Sequence, residues 1–342
     1  MKVAEYHSNE DVRIVDMPVP EVGEGEILVK TKVCGICGSD VLEWYRRMRK
    51  SPFFGHEVSG IIEKVGKGVK ELGRGDRVFI HHHVPCFTCH YCRRGSYTMC
   101  PTYHRTNLDP SGFAEYIRVP RTNVENGGVI KLPDNISFEE ASLIEPMGCC
   151  MRGLKRTNLQ MGDTVLVVGT GFAGLVHIQI AKMMGAGLII ASDFFDFKLQ
   201  EAKKMGADVV VNPGKEKVKE KLYEVNEGRG ADVVVVTPPS TRVIKEAIEF
   251  LDRGGTLYLF GPTSPDDYLS ILPYTFFFSE LSLITSYSAS PIETNAVCRL
   301  MQEGKITTQG LITHRFKLDQ IGEAVRVAAR ADESLKVIVN FE

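Results

Sequence analysis

The sequence predicts an α/β protein built as a β-rich domain followed by a doubly wound parallel sheet, and three observations carry that reading. Over roughly the first 150 residues, short apolar segments ("EILVKTKVCGIC", "EVSGIIEKVG", "DRVFIHHH", "FAEYIRVP") are broken by Gly and Pro at short intervals, as in strands joined by turns. From about residue 162, apolar strands alternate with helical patterns: "TVLVVG" then "FAGLVHIQIAKMMG", "LIIASD" then "FKLQEAKKMG", followed by "DVVVVT", "RVIKEAIEFL" and "TLYLFG". That alternation is the signature of a parallel sheet covered by helices. Finally, 342 residues exceed what one compact core usually organises, so two domains are expected.

The β-rich half contains "PCFTCHYCRRGSYTMC", which places Cys86, Cys89, Cys92 and Cys100 in one short stretch of a chain with nine cysteines. No apolar run is long enough to span a bilayer, and the start "MKVAEYHSNEDVRIV" lacks the basic-then-apolar layout of a signal peptide. A cytoplasmic location is therefore expected, with no membrane partner. In a reducing compartment clustered cysteines hold metal more readily than they form disulfides. The Cys-x2-Cys-x2-Cys-x7-Cys spacing fits a tetrahedral zinc site made of four thiolates. Such a site is closed to further ligands, hence structural, so the chemistry must lie elsewhere. With 41 basic and 43 acidic residues, the chain has no general attraction for nucleic acid, and no nucleic-acid partner is expected.

The second half opens on Gly169-Thr170-Gly171-Phe172-Ala173-Gly174 between an apolar strand and a helix. Glycines there permit a tight turn, close approach to a pyrophosphate and close helix-to-strand packing, while the helix N-terminus offers free N–H groups. Asp193 ends the next strand, "LIIASD". An acid there accepts hydrogen bonds from both ribose hydroxyls and repels a 2′-phosphate, which selects NAD over NADP. No arginine follows it directly, but Lys198 is close enough in sequence to reach the ribose.

Three further pieces, "CGICGSD" at 34–40, "GHE" at 55–57 and "EPMGCC" at 145–150, are unremarkable singly. Taken in order with the cysteine lobe and the glycine turn, they resemble the zinc-dependent medium-chain dehydrogenases over nearly the whole chain, most closely the polyol and threonine dehydrogenase branch. The resemblance implies a GroES-like catalytic domain over 1–148 with 286–342 returning to it, a Rossmann domain over 149–285, and two zinc ions per chain. Cys37 and His56 match the first two catalytic ligands. Glu145 falls where ethanol-type enzymes have a second cysteine. Glu57 matches an exchangeable ligand or neighbour of the metal, and which of Glu57 and Glu145 binds directly stays open. Ser39 matches the hydroxyl that relays the proton. Zinc in an open site acidifies an alcohol, whose hydride then passes to NAD. A catalytically inactive zinc-binding relative is the competing class, but the ligands such chains lose are present here.

The carboxylate Glu145 resembles enzymes that oxidise a secondary hydroxyl of a polyol, cyclitol or sugar derivative. Arg46, Arg47, Arg49 and Lys50 in "WYRRMRKSPFFGHE" offer an alternative, an anionic hydroxy compound such as a sugar-alcohol phosphate or L-threonine, unless they are merely solvated. "ITSYSAS" at 284–290 lacks the arginine usual in the polyol branch, so sorbitol itself is not carried over. His81, His82 and His83 are expected to be a packed or solvated strand end, because consecutive strand residues face opposite sides. Cys34, Cys149, Cys150 and Cys298 are expected to be structural. A sheet edge near "TLYLFG" and "LSLITSYS" predicts a homodimer or homotetramer.

Overall fold

The structure, a computed structural model, describes residues 1–341. The chain divides into two compact units, Met1–Gly148 with the segment from Ser288, and Cys149–Tyr287. The division falls inside one helix, Ile144–Arg156.

In the first unit the described strands form a seven-stranded sheet around Ile27–Gly35. That strand pairs antiparallel with Glu57–Val65, Tyr116–Val119 and the terminal Lys336–Asn340. Glu57–Val65 pairs in turn with Arg77–His81. The core beneath is continuous and apolar, with Ile27, Val29, Val58, Ile62, Val78, Ile80 and Ile117 fully buried. Two helices come from the C-terminal segment. Pro291–Gln302 starts on a Ser290/Glu293 capping box with proline in its first turn, and Ile321–Arg330 packs Ile321, Ala324 and Val325 into the core. The patterns of "IETNAVCRLMQEG" and "IGEAVRVAARADESLKVIVNF" mark both helices and the terminal strand in the sequence, whereas nothing there marks Ile312–Lys317 or the hairpin of Lys2–Tyr6 with Val12–Asp16. "ITHRFK" is only half-buried, alternating intermediate and exposed positions, so it carries too little apolar signal to mark a strand.

In the second unit the described sheet has six strands, all parallel. Numbered within the unit, Thr164–Val168, Leu188–Ser192, Val209–Val211, Ala231–Val236, Leu251–Leu259 and Ser282–Thr285 lie in spatial order 3-2-1-4-5-6. This is the dinucleotide-fold order, with its crevice at the carboxyl ends where the order reverses. The strands read as continuous valine and isoleucine runs because both faces are covered. Gly174 permits the first helix, Phe172–Met183, to lie close to its strand, since a Cβ there would come within 2.0 Å of the Gly169 carbonyl oxygen.

His177 on that helix is fully buried. Its Nδ1–H donates to the Ala173 carbonyl at 2.7 Å, and its ring packs edge-on against Tyr258 and Phe260. Burial pulls its pKa down to about 4. An unfolded histidine takes up its proton near pH 6.5, so between that pH and about 4 the unfolded chain binds the proton and the folded one does not. Stability from this group is therefore complete above pH 6.5 and falls by up to about 1.4 kcal/mol per unit as the pH drops towards 4. Thermal melts of His177→Phe should show a shallower loss of stability over this range than the unmodified protein. Parallel pH profiles for the two proteins would contradict this account.

Candidate active site

Cys86, Cys89, Cys92 and Cys100 converge, with all four sulfurs within 4.8 Å of one another. The Cys89–Cys92 and Cys86–Cys100 sulfur pairs are each 3.6 Å apart. A disulfide needs about 2.05 Å, whereas the edge of a tetrahedron of thiolates around zinc, at about 2.3 Å per bond, is about 3.8 Å. The spacing thus fits a metal and not a bridge. Hydrogen bonds led by the Thr88 hydroxyl draw the Cys86 thiol down to about 5, while burial and the neighbouring sulfurs push Cys92 up to about 12. Apart from these shifts, four thiolates at this distance would repel one another unless a cation sat among them.

The second cluster is assembled from strand ends and a helix start. Cys37 follows the strand Ile27–Gly35, His56 precedes Glu57–Val65, and Glu145 lies in the first turn of Ile144–Arg156. Two overlapping donor sets share His56: Cys37, His56 and Glu57, and His56, His82 and Glu145, each with ligand atoms within 4.8 Å. This donor chemistry, one thiol with imidazole and carboxylate, fits zinc. Asp40, which sequence reasoning passed over, is buried with one oxygen 3.6 Å from His56 Nδ1 and the other accepting from the Cys37 backbone N–H at 3.0 Å. It aligns two donors at once, as carboxylates behind metal-binding histidines do. Ser39 Oγ lies 3.3 Å from Cys37 Sγ, to which it donates.

Glu57 is held by a residue with no signal in the local sequence. Lys336, only 4% exposed, donates to Glu57 Oε1 at 2.6 Å and lies 2.5 Å from Oε2. Burial alone would lower the ammonium's pKa, but Glu57, Cys37 and Glu145 hold it above its ordinary value. The pair fits because residue 35 is glycine: a Cβ there would stand 2.0 Å from Glu57 Oε2 and 3.1 Å from Lys336 Cε.

The three successive histidines are packed rather than solvated. His81 Nε2 meets the Ala289 carbonyl at 3.2 Å and His83 Nδ1 meets that of Thr106, and burial lowers both pKa values to about 3. His82 is the one that reaches the donor cluster, its ring centroid 4.6 Å from that of His56. The basic run resolves into separate roles. Arg46 is engaged within the fold: its guanidinium lies over the Tyr6 and Phe54 rings and donates to the carbonyls of Ser51, Pro52 and Phe53. Arg47 pairs with Glu43, and Lys50 is exposed. Arg49 stacks on Tyr45 and is near enough to His82 and His83 to help lower their pKa values, after burial. Cys34, Cys150 and Cys298 are buried and Cys149 half-buried, and none belongs to a donor set among the described residues.

In the second unit Gly169 takes φ +86°, and a Cβ on Gly171 would meet open space. The turn thus leaves room for a ligand at the N-terminus of Phe172–Met183, as a pyrophosphate requires. Ala173 lies in that first turn. The Asp193 carboxylate accepts from the backbone N–H groups of Thr170, at 2.8 Å, and Phe195, at 3.0 Å, which fixes it beside the glycine turn. Lys198 is buried, its ammonium over the Phe195 and Phe197 rings.

Residues 23–134 match the alcohol dehydrogenase GroES-like domain and residues 173–303 match the zinc-binding dehydrogenase domain. The chain belongs to the zinc-dependent medium-chain alcohol dehydrogenases, with a GroES-like and a Rossmann domain. It is 32% identical to the sorbitol dehydrogenase of Bacillus subtilis, over 99% of this chain and 97% of that protein. It is 33% identical to the L-threonine 3-dehydrogenase of Pyrococcus horikoshii, over 95% and 94%. The solved galactitol-1-phosphate dehydrogenase of Escherichia coli superposes with a TM-score of 0.85 at 29% identity, covering 99% of this chain and all of that one. Among the described residues no helix is long and apolar enough to cross a membrane.

Removing one partner of a buried ion pair strands the other charge, at a cost of about 3–5 kcal/mol. Lys336→Met should therefore lower the melting temperature sharply, and the double variant Lys336→Met/Glu57→Gln should recover much of the loss. Equal melting temperatures for Lys336→Met and the unmodified protein would show that the pair contributes nothing.

Proposed function

We propose that this enzyme oxidises a secondary hydroxyl of a polyol, cyclitol or sugar derivative with NAD. The observation that carries the reading is Glu145, a buried carboxylate that joins His56 at the donor cluster. Cys37, His56 and Glu145 would hold a catalytic zinc. Lys336 engages both oxygens of Glu57, which favours Glu145 as the direct ligand and Glu57 as its charged neighbour. Cys86, Cys89, Cys92 and Cys100 would hold a second, structural zinc. Zinc supplies Lewis acidity that lets an alcohol lose its proton near neutral pH, and NAD supplies the hydride acceptor.

The chain's own residues do the rest. Asp40 fixes the orientation of His56 and of the Cys37 backbone. Ser39 Oγ, half-buried beside Cys37, takes up the substrate proton and passes it on. Gly169, Gly171 and Gly174 with the helix start at Phe172 bind the pyrophosphate, and Asp193 binds the ribose hydroxyls and excludes a 2′-phosphate. Lys198, engaged by two aromatic rings, does not offset that exclusion. The free thiols of both sites need a reducing setting, which favours the cytoplasm.

A second reading, oxidation of an anionic hydroxy compound, is favoured by Arg49, the one member of the basic run that acts on His82 and His83. A panel of pentitols, hexitols, inositols, sugar phosphates and L-threonine, followed by absorbance of the reduced cofactor, separates the two. Neutral polyols should turn over with NAD preferred to NADP, and Cys37→Ser should abolish turnover. Turnover confined to phosphates or carboxylates would favour Arg49 as the guide. Efficient use of primary alcohols alone would refute the reading of Glu145, and a higher kcat/KM with NADP would refute that of Asp193.

The working form is a homodimer or homotetramer. The edge strand Ser282–Thr285 lies at the end of its sheet, and beside it in sequence Leu272, Tyr274, Phe277 and Phe278 are each at least 64% exposed. An apolar edge of this kind is stabilised by a second copy of the chain. Light scattering at micromolar concentration should give at least twice the 38.0 kDa chain mass, and Phe277→Glu should shift the population towards monomer. A monomer in the unmodified protein would refute the assembly.

A further inference from the structure

We propose that His82 selects substrates carrying a second hydroxyl next to the one that reacts. This inference rests on the reading of Cys37, His56 and Glu145 as the catalytic centre and deepens it.

The neighbouring histidines make the contrast. The His81 and His83 rings are anchored on backbone carbonyls of Ala289 and Thr106. The backbone of the run is pinned as well, because Asn123 Nδ2 donates to the carbonyls of both His81, at 3.0 Å, and His82, at 2.9 Å. Only the middle side chain makes no hydrogen bond: Nδ1 of His82, like that of His81, is buried without a partner, but the His81 ring is anchored through Nε2 and the His82 ring through neither nitrogen. The residue is 9% exposed, and one of its ring nitrogens lies within 4.8 Å of donor atoms on both His56 and Glu145. A buried imidazole held this firmly with an unfilled polar atom is destabilising unless something occupies it.

Two occupants fit the position, a metal ion and a polar group of the substrate. On the reading of Cys37, His56 and Glu145 as the three protein ligands of an open catalytic centre, a fourth would close it to substrate. The imidazole is therefore left to meet the substrate. One ring nitrogen donates and the other accepts, and a hydroxyl can answer either. At this distance from the donor cluster it would meet a hydroxyl on the carbon adjacent to the reacting one. A site built to hydrogen-bond a hydroxyl rejects an analogue that lacks it far more strongly than an apolar pocket distinguishes one methylene.

The pair 2,3-butanediol and 2-butanol differs by that one hydroxyl. With cobalt(II) loaded in place of zinc, titration of each alcohol can be followed by the visible absorption of the metal, without turnover, and kcat/KM can be measured for the same pair on the zinc enzyme. The unmodified protein should favour the diol by at least about tenfold in both measurements. His82→Phe, which keeps the ring, should bring the diol-to-monoalcohol ratio close to one, and His82→Gln, which keeps a hydrogen-bonding amide, should restore part of it. A ratio near one in the unmodified protein, or one that survives His82→Phe, overturns the inference and leaves the metal centre standing. If the cobalt bands respond to neither alcohol, the reading of the centre fails and this inference fails with it.

Discussion

The donor cluster depends on how Gly35 is flanked. In the central sheet Gly35 pairs with Glu57 on one side and with Ile338 on the other. Those two pairings bring together the end of the strand that leads to Cys37, the strand that follows His56, and the terminal strand that carries Lys336. Because side chains alternate along a strand, a register shift of one residue would turn Glu57 away from Lys336. Glycine at position 35 is required by space and not by backbone conformation, since any Cβ would collide with the ion pair. Residues separated by 279 positions thus meet because one position between their strands is empty.

The two cysteine-bearing clusters solve the same electrostatic problem differently. Four thiolates in the lobe, with the Cys89–Cys92 and Cys86–Cys100 sulfurs 3.6 Å apart, would repel one another. A cation at their centre would remove that repulsion, and with all four donors used the lobe would have nothing left for a substrate. At the Cys37 cluster the negative charge of Glu57 is met by a protein cation, Lys336, and that of Asp40 lies behind His56. On the proposed reading the Cys37 thiol, the His56 imidazole and the Glu145 carboxylate would then be left for a metal whose remaining position is open. The difference between a structural and a catalytic site lies in how many donors the protein commits.

The features legible in the sequence were local ones. Four cysteines within fifteen residues and a glycine turn between a strand and a helix are written contiguously, and their chemistry depends on spacing alone. The parallel sheet was legible for the same reason, since most of its strands carry their own apolar run. Lys336 was not legible: an isolated lysine in "ESLKVIVNF" reads as a surface residue until the strand register buries it. Asp40 stood in plain view within "CGICGSD" but needed the fold to turn it towards His56. The alternation rule did not carry through the histidines, because the strand ends at His81 and the rings of His81 and His82 lie 5.4 Å apart and those of His82 and His83 4.1 Å apart. The setting of Arg46 was hidden for a similar reason, because the Tyr6 ring lies elsewhere in the chain and the Phe54 ring, though in the same stretch, is brought over it only by the fold.

The central claim is that one chain carries two zinc sites with separate donors and separate duties. Zinc content, measured on protein purified with zinc present, tests it most directly. The account requires two ions per chain in the unmodified protein, one in Cys37→Ser with the fold retained, and one in Cys100→Ser with a lowered melting temperature. A single zinc in the unmodified protein, or loss of both ions from Cys37→Ser, would contradict it.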